Sequence, residues 1–233
     1  MRKRFALSSQ ALRNPAVAAP LDDSLDAGFP PSKAWRSAKP ILFDSDWQGK
    51  NADPQRQTEV RLLWTHEFLY LKFLANYRLI TVFDDSDSNG RRDKLWDRDV
   101  AEVFLQPDPH QLRRYKEFEV SPNGFWIDLE INNGKLRHLK TGLQRRVNID
   151  EAKKTWTAEL AIPMKSLTEH FDPAVWHVNF FRVEGPTEPR FYSAWQPTNT
   201  PQPNFHVPER FGYLKFAPMP AVKPPKTKKS KSR

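Results

Sequence analysis

Between residues 58 and 216 apolar and polar residues alternate with period two in a series of short runs, the pattern of strands that bury one face. In Thr58–Trp64, Val60 and Leu62 point the same way. Residues 68–75 follow across His66-Glu67, a tight connection that predicts a hairpin. Residues 99–105 and 115–120 come next, and Pro122-Asn123-Gly124 is the clearest turn signal, with Asn-Gly predicting a type I′ hairpin. Beyond it Phe125, Ile127, Leu129 and Ile131 share one face, while Asp128 and Glu130 share the other. Trp156, Ala158, Leu160 and Ile162 repeat this in residues 155–162. Residues 176–183, residues 191–195 and Gly212–Phe216 complete a set of about ten strands. A single helical turn is expected at residues 164–169. The predicted fold is all-β: an antiparallel two-sheet sandwich, jelly-roll or immunoglobulin-like.

Composition sets the limits of that body. The 21 prolines against 8 glycines favour loops over long helices, and 12% aromatics offset a lean 38% of hydrophobic residues. Residues 1–33 carry Pro15, Pro20, Pro30 and Pro31 without a periodic pattern and are expected to be an extended leader. Residues 34–217 form the sandwich, and residues 218–233 are expected to be a disordered basic tail. The net charge of +9 resides at the two ends, in Arg2, Lys3 and Arg4 and in the six Lys and Arg residues from Lys223 onward. Residues 5–222 are therefore neutral, which argues against a nucleic-acid-binding face and reads the ends as solvated tails. The absence of cysteine excludes disulfides and thiol chemistry. Arg2-Lys3-Arg4 is not followed by the apolar stretch of a secretory signal, and no run is long enough to span a membrane. Location and oligomeric state stay open.

Two segments carry a resemblance. Trp96-Asp-Arg-Asp99-Val-Ala-Glu102-Val-Phe and Trp156-Thr-Ala-Glu159-Leu-Ala-Ile-Pro163, with Val178-Asn179-Phe180 and the closing Phe211-Gly212, resemble the signatures of family 9 carbohydrate-binding modules. The likeness is to the family 9-like branch and spans roughly residues 34–217; a related sandwich occurs in the DOMON group. The resemblance implies a non-catalytic module for glucan- or xylan-type saccharides, structural calcium, and bacterial polysaccharide catabolism beside a glycoside hydrolase. It implies that Trp96 stacks on a sugar and that Glu102 takes sugar hydroxyls. A second stacking position falls before Phe211, where Trp195, Phe205 and His206 are the candidates. The strand arginine of the characterised modules has no match, since Phe118-Glu119-Val120 carries glutamate there. Independently, Trp96 stands in a polar loop where a core indole is out of place. An aromatic face beside a placed carboxylate suits a pyranose ring.

Other chemistry has less behind it. Asp85, Asp87 and Asn89, with Gly90, repeat the opening of a calcium loop, but Trp96 stands where the closing glutamate belongs. Asp84 and Asp99 are the further acidic groups within reach. Glu117, Glu119, Asp128 and Glu130 are read as the wet face of a sheet rather than as a glycosidase pair. The six histidines offer no helical metal pair. Two alternatives stand beside sugar binding. One is a haem or redox sandwich of the DOMON kind, for which Met164, His177 and His206 would be the axial candidates. The other is a sandwich used for protein–protein contact.

Overall fold

The structure, a computed structural model, describes residues 12–21, 28–174 and 176–220. Among these residues it holds thirteen strands, one α-helical turn and four short 3-10 turns. The first half of the chain forms β1 (Ala16–Pro20), β2 (Ile41–Phe43), β3 (Thr58–Trp64), β4 (Phe68–Asn76), β5 (Val100–Gln106) and β6 (Arg114–Val120). The second half forms β7 (Trp126–Asn132), β8 (Lys135–His138), β9 (Gln144–Asp150), β10 (Thr155–Pro163), α1 (Met164–Leu167), β11 (Trp176–Glu184), β12 (Phe191–Ala194) and β13 (Gly212–Phe216). No helix among the described residues is long and apolar enough to cross a membrane.

Instead of two separate sheets, the strands make one curled ladder in the order β8-β7-β6-β5-β11-β13-β1-β3-β4-β10-β9, with β12 beside β11 and β2 beside β3. The joint is β1, which runs parallel to both of its neighbours, β13 and β3. Without β1 the ladder would fall into the two sheets that alternation predicts. Residues 16–20, expected to belong to an extended leader, are therefore a corner of the fold. Their composition explains both outcomes. Ala-Val-Ala-Ala-Pro has too little apolar contrast to register as a strand, and its small side chains fit where the sheet bends; Ala16 and Ala18 are fully buried. The outer parts of the two ends, 1–11 and 221–233, lie outside the described residues.

Inside the curl, Leu62, Phe73, Trp156 and Leu160 meet Val103, Phe118, Val178 and Phe180 in the main core, and the Phe73 and Phe180 rings lie 6.3 Å apart. Each such side chain contributes roughly 1.5–3 kcal/mol on leaving water. The open edges are drawn together by Arg145 of β9. Its Nε donates to the Gly124 carbonyl at 3.0 Å, and its guanidinium and that of Arg91 flank the Trp126 ring at 5.0 and 5.1 Å. Gly90, with φ +76°, admits this arginine: a Cβ there would stand 2.7 Å from its terminal nitrogen.

The hairpin before β7 forms where expected but with a different turn. Gly124 N–H donates to Ser121 C=O and Ser121 N–H to Phe125 C=O, both at 2.9 Å, and within Pro122-Asn123-Gly124 only Gly124 has positive φ. A type I′ turn needs positive φ at Asn123 as well. Pro122 fixes its own φ near −65° and starts an ordinary turn one residue earlier.

Candidate functional site

The outer face of β5, β6, β7 and β11 carries a second apolar layer, including Val100, Phe104, Tyr115, Leu129, Phe181 and Val183. The connection between β12 and β13 covers it, bringing in Phe205 and Phe211. That connection is fixed at several points. Trp47 Nε1 and Gln48 Nε2 donate to the Thr200 carbonyl at 2.9 and 3.0 Å, and Arg210 Nε donates to the Pro197 carbonyl at 3.1 Å. Between the connection and the sheet lies a cleft of about 240 Å³.

Four of the residues singled out from sequence line this cleft: Trp96, Glu102, Phe205 and His206. Trp96 is half-buried in the Leu95–Asp97 turn, and its carbonyl accepts from Arg190 at 2.8 Å. Asp99, just after that turn, bolts the loop down. Its carboxylate accepts the N–H groups of Thr81 and Gly185 at 3.1 and 2.8 Å, and burial raises its pKa. Phe205 stacks on Phe181 with centroids 4.2 Å apart, so one face is already used. His206 is exposed, shares a 2.8 Å hydrogen bond with the Tyr115 hydroxyl and lies against Phe104.

Trp195 does not belong to the site. It is 3% exposed, packs on Phe180 and lies over Gly212, where a Cβ would meet its indole at 2.8 Å. The Phe-Gly signature thus serves a core tryptophan. Residues that sequence reasoning did not select complete the lining: Phe104, Glu117, Arg190, Tyr192 and Asn204 among them. Arg190 and Tyr192 carry no motif. Arg190 joins the Trp96 carbonyl, the Tyr192 hydroxyl and Glu188, and so holds two walls of the cleft in register.

The floor is acidic. Glu102 of β5 stands opposite Glu119 of β6 in the ladder, with Phe104 opposite Glu117. The three glutamates bring carboxylate oxygens within 4.8 Å of one another. All are buried, with Glu119 at 0% exposure, which corrects the expectation of a wet face. The other two carboxylates of that expectation, Asp128 and Glu130, point to the opposite side and are also buried, but they are neutralised. Asp128 pairs with Arg91 and accepts from Thr141 Oγ1 at 2.6 Å; Glu130 pairs with Arg114 and Arg137 at 3.1 and 2.8 Å.

The glutamate trio has no such partners. Glu102 Oε1, Glu117 Oε2 and both Glu119 oxygens lack a donor from any other kind of residue among those described. Glu117 and Glu119 lie close enough to shift each other's pKa, in opposite senses. Burial pushes all three pKa values up. For Glu102 the Glu117 charge adds to this while Arg190 opposes it. For Glu119 its two glutamate neighbours raise the value further.

The loop expected to bind calcium is differently employed. Asp85 is exposed and pairs with Arg92 at 3.1 Å. Asp87 Oδ1 accepts the N–H groups of Asn89 and Arg91 at 2.8 Å each, and the Asn89 carbonyl accepts from Trp126 Nε1 and Arg145. Backbone amides, the Trp126 indole and the side chains of Arg92 and Arg145 already serve these oxygens, and the donor set does not fit a calcium ion. The histidines are equally dispersed. His177 bonds Gln106, His206 bonds the Tyr115 hydroxyl, and Met164 is in the main core, on the opposite face of the sheet from the cleft.

Residues 28–217 match the model of the carbohydrate family 9 binding domain-like family. The chain belongs to that family. Two solved structures of family 9 carbohydrate-binding modules from Caldicellulosiruptor kristjanssonii, one in complex with cellotriose and one with glucose, superpose on this family 9-like chain with TM-scores of 0.62 and 0.61. Each is 13% identical and is matched over 91% of this chain, and over 98% and 100% of its own length respectively. A Bacteroides uniformis protein matches with a TM-score of 0.67 at 16% identity, over 86% of this chain and 98% of that one. An Arthroderma benhamiae protein described as extracellular is 25% identical over 182 residues, 70% of this chain and 80% of the relative.

Proposed function

We propose that this family 9-like domain is a non-catalytic saccharide-binding module and that the cleft beneath the β12–β13 connection is its binding site. The observation that carries this reading is the convergence of Trp96, Tyr192 and His206 around Glu102, whose Oε1 has no donor among the described residues. A pyranose ring presents C–H groups to an aromatic face and hydroxyls to a carboxylate, and this cleft supplies both. Its volume of about 240 Å³ is below the roughly 300–1,000 Å³ of drug-sized sites, which favours one sugar ring or a chain end. Structural neighbours solved with cellotriose and glucose support a glucan-type ligand. Stacking on a few rings with a few hydrogen bonds corresponds to Kd values between ~1 mM and ~1 μM, or about 4–8 kcal/mol.

The carboxylates favour binding over hydrolysis. Glycosidase pairs flank the scissile bond at roughly 5–9.5 Å. Here Glu102, Glu117 and Glu119 all rise from one floor of two adjacent strands, with no acidic group facing them across the cleft among its lining residues. A glycan array probed with the purified chain tests the reading. Retention of glucan or xylan fragments, lost in Trp96→Ala with the fold intact, is the expected result. A blank array from folded protein would overturn it.

A further inference from the structure

The acidic floor sets a requirement that a neutral sugar does not meet. Glu102 and Glu117 line the cleft, and Glu119 stands beside them on the same face of the sheet, opposite Glu102. Four of their six carboxylate oxygens find no donor among the described residues. Buried carboxylates without a cationic partner are costly, and proteins ordinarily pair them. This chain does pair its other buried carboxylates of the region, Asp128 and Glu130, with arginine. Arg190, the cation nearest Glu102, is committed to the Trp96 carbonyl, Tyr192 and Glu188. The walls are aromatic: Trp96, Phe104, Tyr192, Phe205 and His206. An electron-rich wall over an acidic floor is the environment that attracts an ammonium group, by cation–π contact above and charge-assisted hydrogen bonds below.

We propose that the cleft selects a saccharide bearing a free, protonated amine, seating its ammonium on Glu102 and Glu117 beside Glu119. This rests on the saccharide reading and narrows it. An ammonium carries three N–H donors and no acceptor, and so matches a surface of acceptors that lack donors. A hydroxyl donates one hydrogen and brings no charge. A divalent cation fits less well, because calcium takes six to eight oxygens and magnesium a full octahedron. The cross-strand partners of the trio, Phe104, Phe181, Ile127 and Leu129, have no oxygen to give, so further ligands would have to come from Tyr192 or Asn204 elsewhere in the cleft.

Calorimetric titration at pH 6 with chitotriose, its fully N-acetylated counterpart and cellotriose tests the proposal. The expected result is chitotriose binding at least about tenfold more tightly than the other two, tenfold corresponding to one step of 1.4 kcal/mol. Glu117→Gln is expected to weaken chitotriose binding more than cellotriose binding, so that most of the preference is lost. Glu119→Gln serves as a second variant should the first fail to fold. Equal or tighter binding of cellotriose would overturn the amine selectivity and leave saccharide binding standing. If none of the three binds folded protein, both readings fall. Calcium and manganese chlorides titrated alone supply the remaining arm: tight binding lost in Glu119→Gln would assign the trio to a metal and overturn the proposal.

Discussion

Glu119 concentrates the tension in this molecule. It is fully buried, faces two other glutamates and has neither oxygen served by a donor other than a carboxyl. An amide of the same shape would donate to those neighbours, so Glu119→Gln is expected to stabilise the protein by about 1–3 kcal/mol, measured by urea unfolding at neutral pH. The two tryptophans selected from sequence separate at this scale. Trp195→Ala opens a cavity in the main core and is expected to cost about 3–5 kcal/mol. Trp96→Ala, at the half-exposed rim, is expected to leave Tm nearly unchanged and to abolish saccharide binding. Thermal melts of both variants beside a binding assay check the pair. Sequence alone could not make this distinction. Both indoles precede or end a strand in polar surroundings, and only Gly212, seen beneath Trp195, shows which of them is covered.

At the level of elements, the strands with clean alternation were legible and the short, weakly patterned ones were not. β7 and β10 bury the faces that their sequences predict, because every second residue is large and apolar. β1 escaped notice because alanine contributes little contrast, and β8 because none of its four residues is buried. Yet β1 is the hinge of the whole sheet. Removing residues 1–20 would expose the facing edges of β13 and β3, and unpaired strand edges recruit other chains. The truncated chain is expected to lose cooperative unfolding and to aggregate, as seen by circular dichroism and light scattering; a soluble, cooperatively folded product would show that β1 is dispensable. The cleft was half legible for a related reason. Trp96 and Glu102 stand in a recognisable string, whereas Arg190, Tyr192 and Glu117 reach the cleft only through strand pairing between segments far apart in sequence.

Across the whole molecule, the raised carboxylate pKa values have a consequence for stability. Glu102, Glu117 and Glu119 hold their protons more tightly in the folded state than in the unfolded chain. Their contribution is therefore most favourable below the ordinary glutamate range, near 4.5, and is lost as pH rises through the elevated folded values. Stability is expected to decline from mildly acidic towards alkaline pH, and Glu119→Gln should flatten that slope. Urea midpoints measured across this range check both statements. Since the Asp85–Asn89 loop is held by arginines rather than arranged around an ion, EDTA is expected to leave Tm unchanged.

The saccharide site itself is tested most directly by an NMR titration of isotope-labelled protein with cellotriose and chitotriose. Shifts confined to Trp96, Glu102, Tyr192, Phe205 and His206, saturating together, are the expected result. Shifts centred elsewhere, or none at millimolar sugar, would contradict the assignment of this cleft.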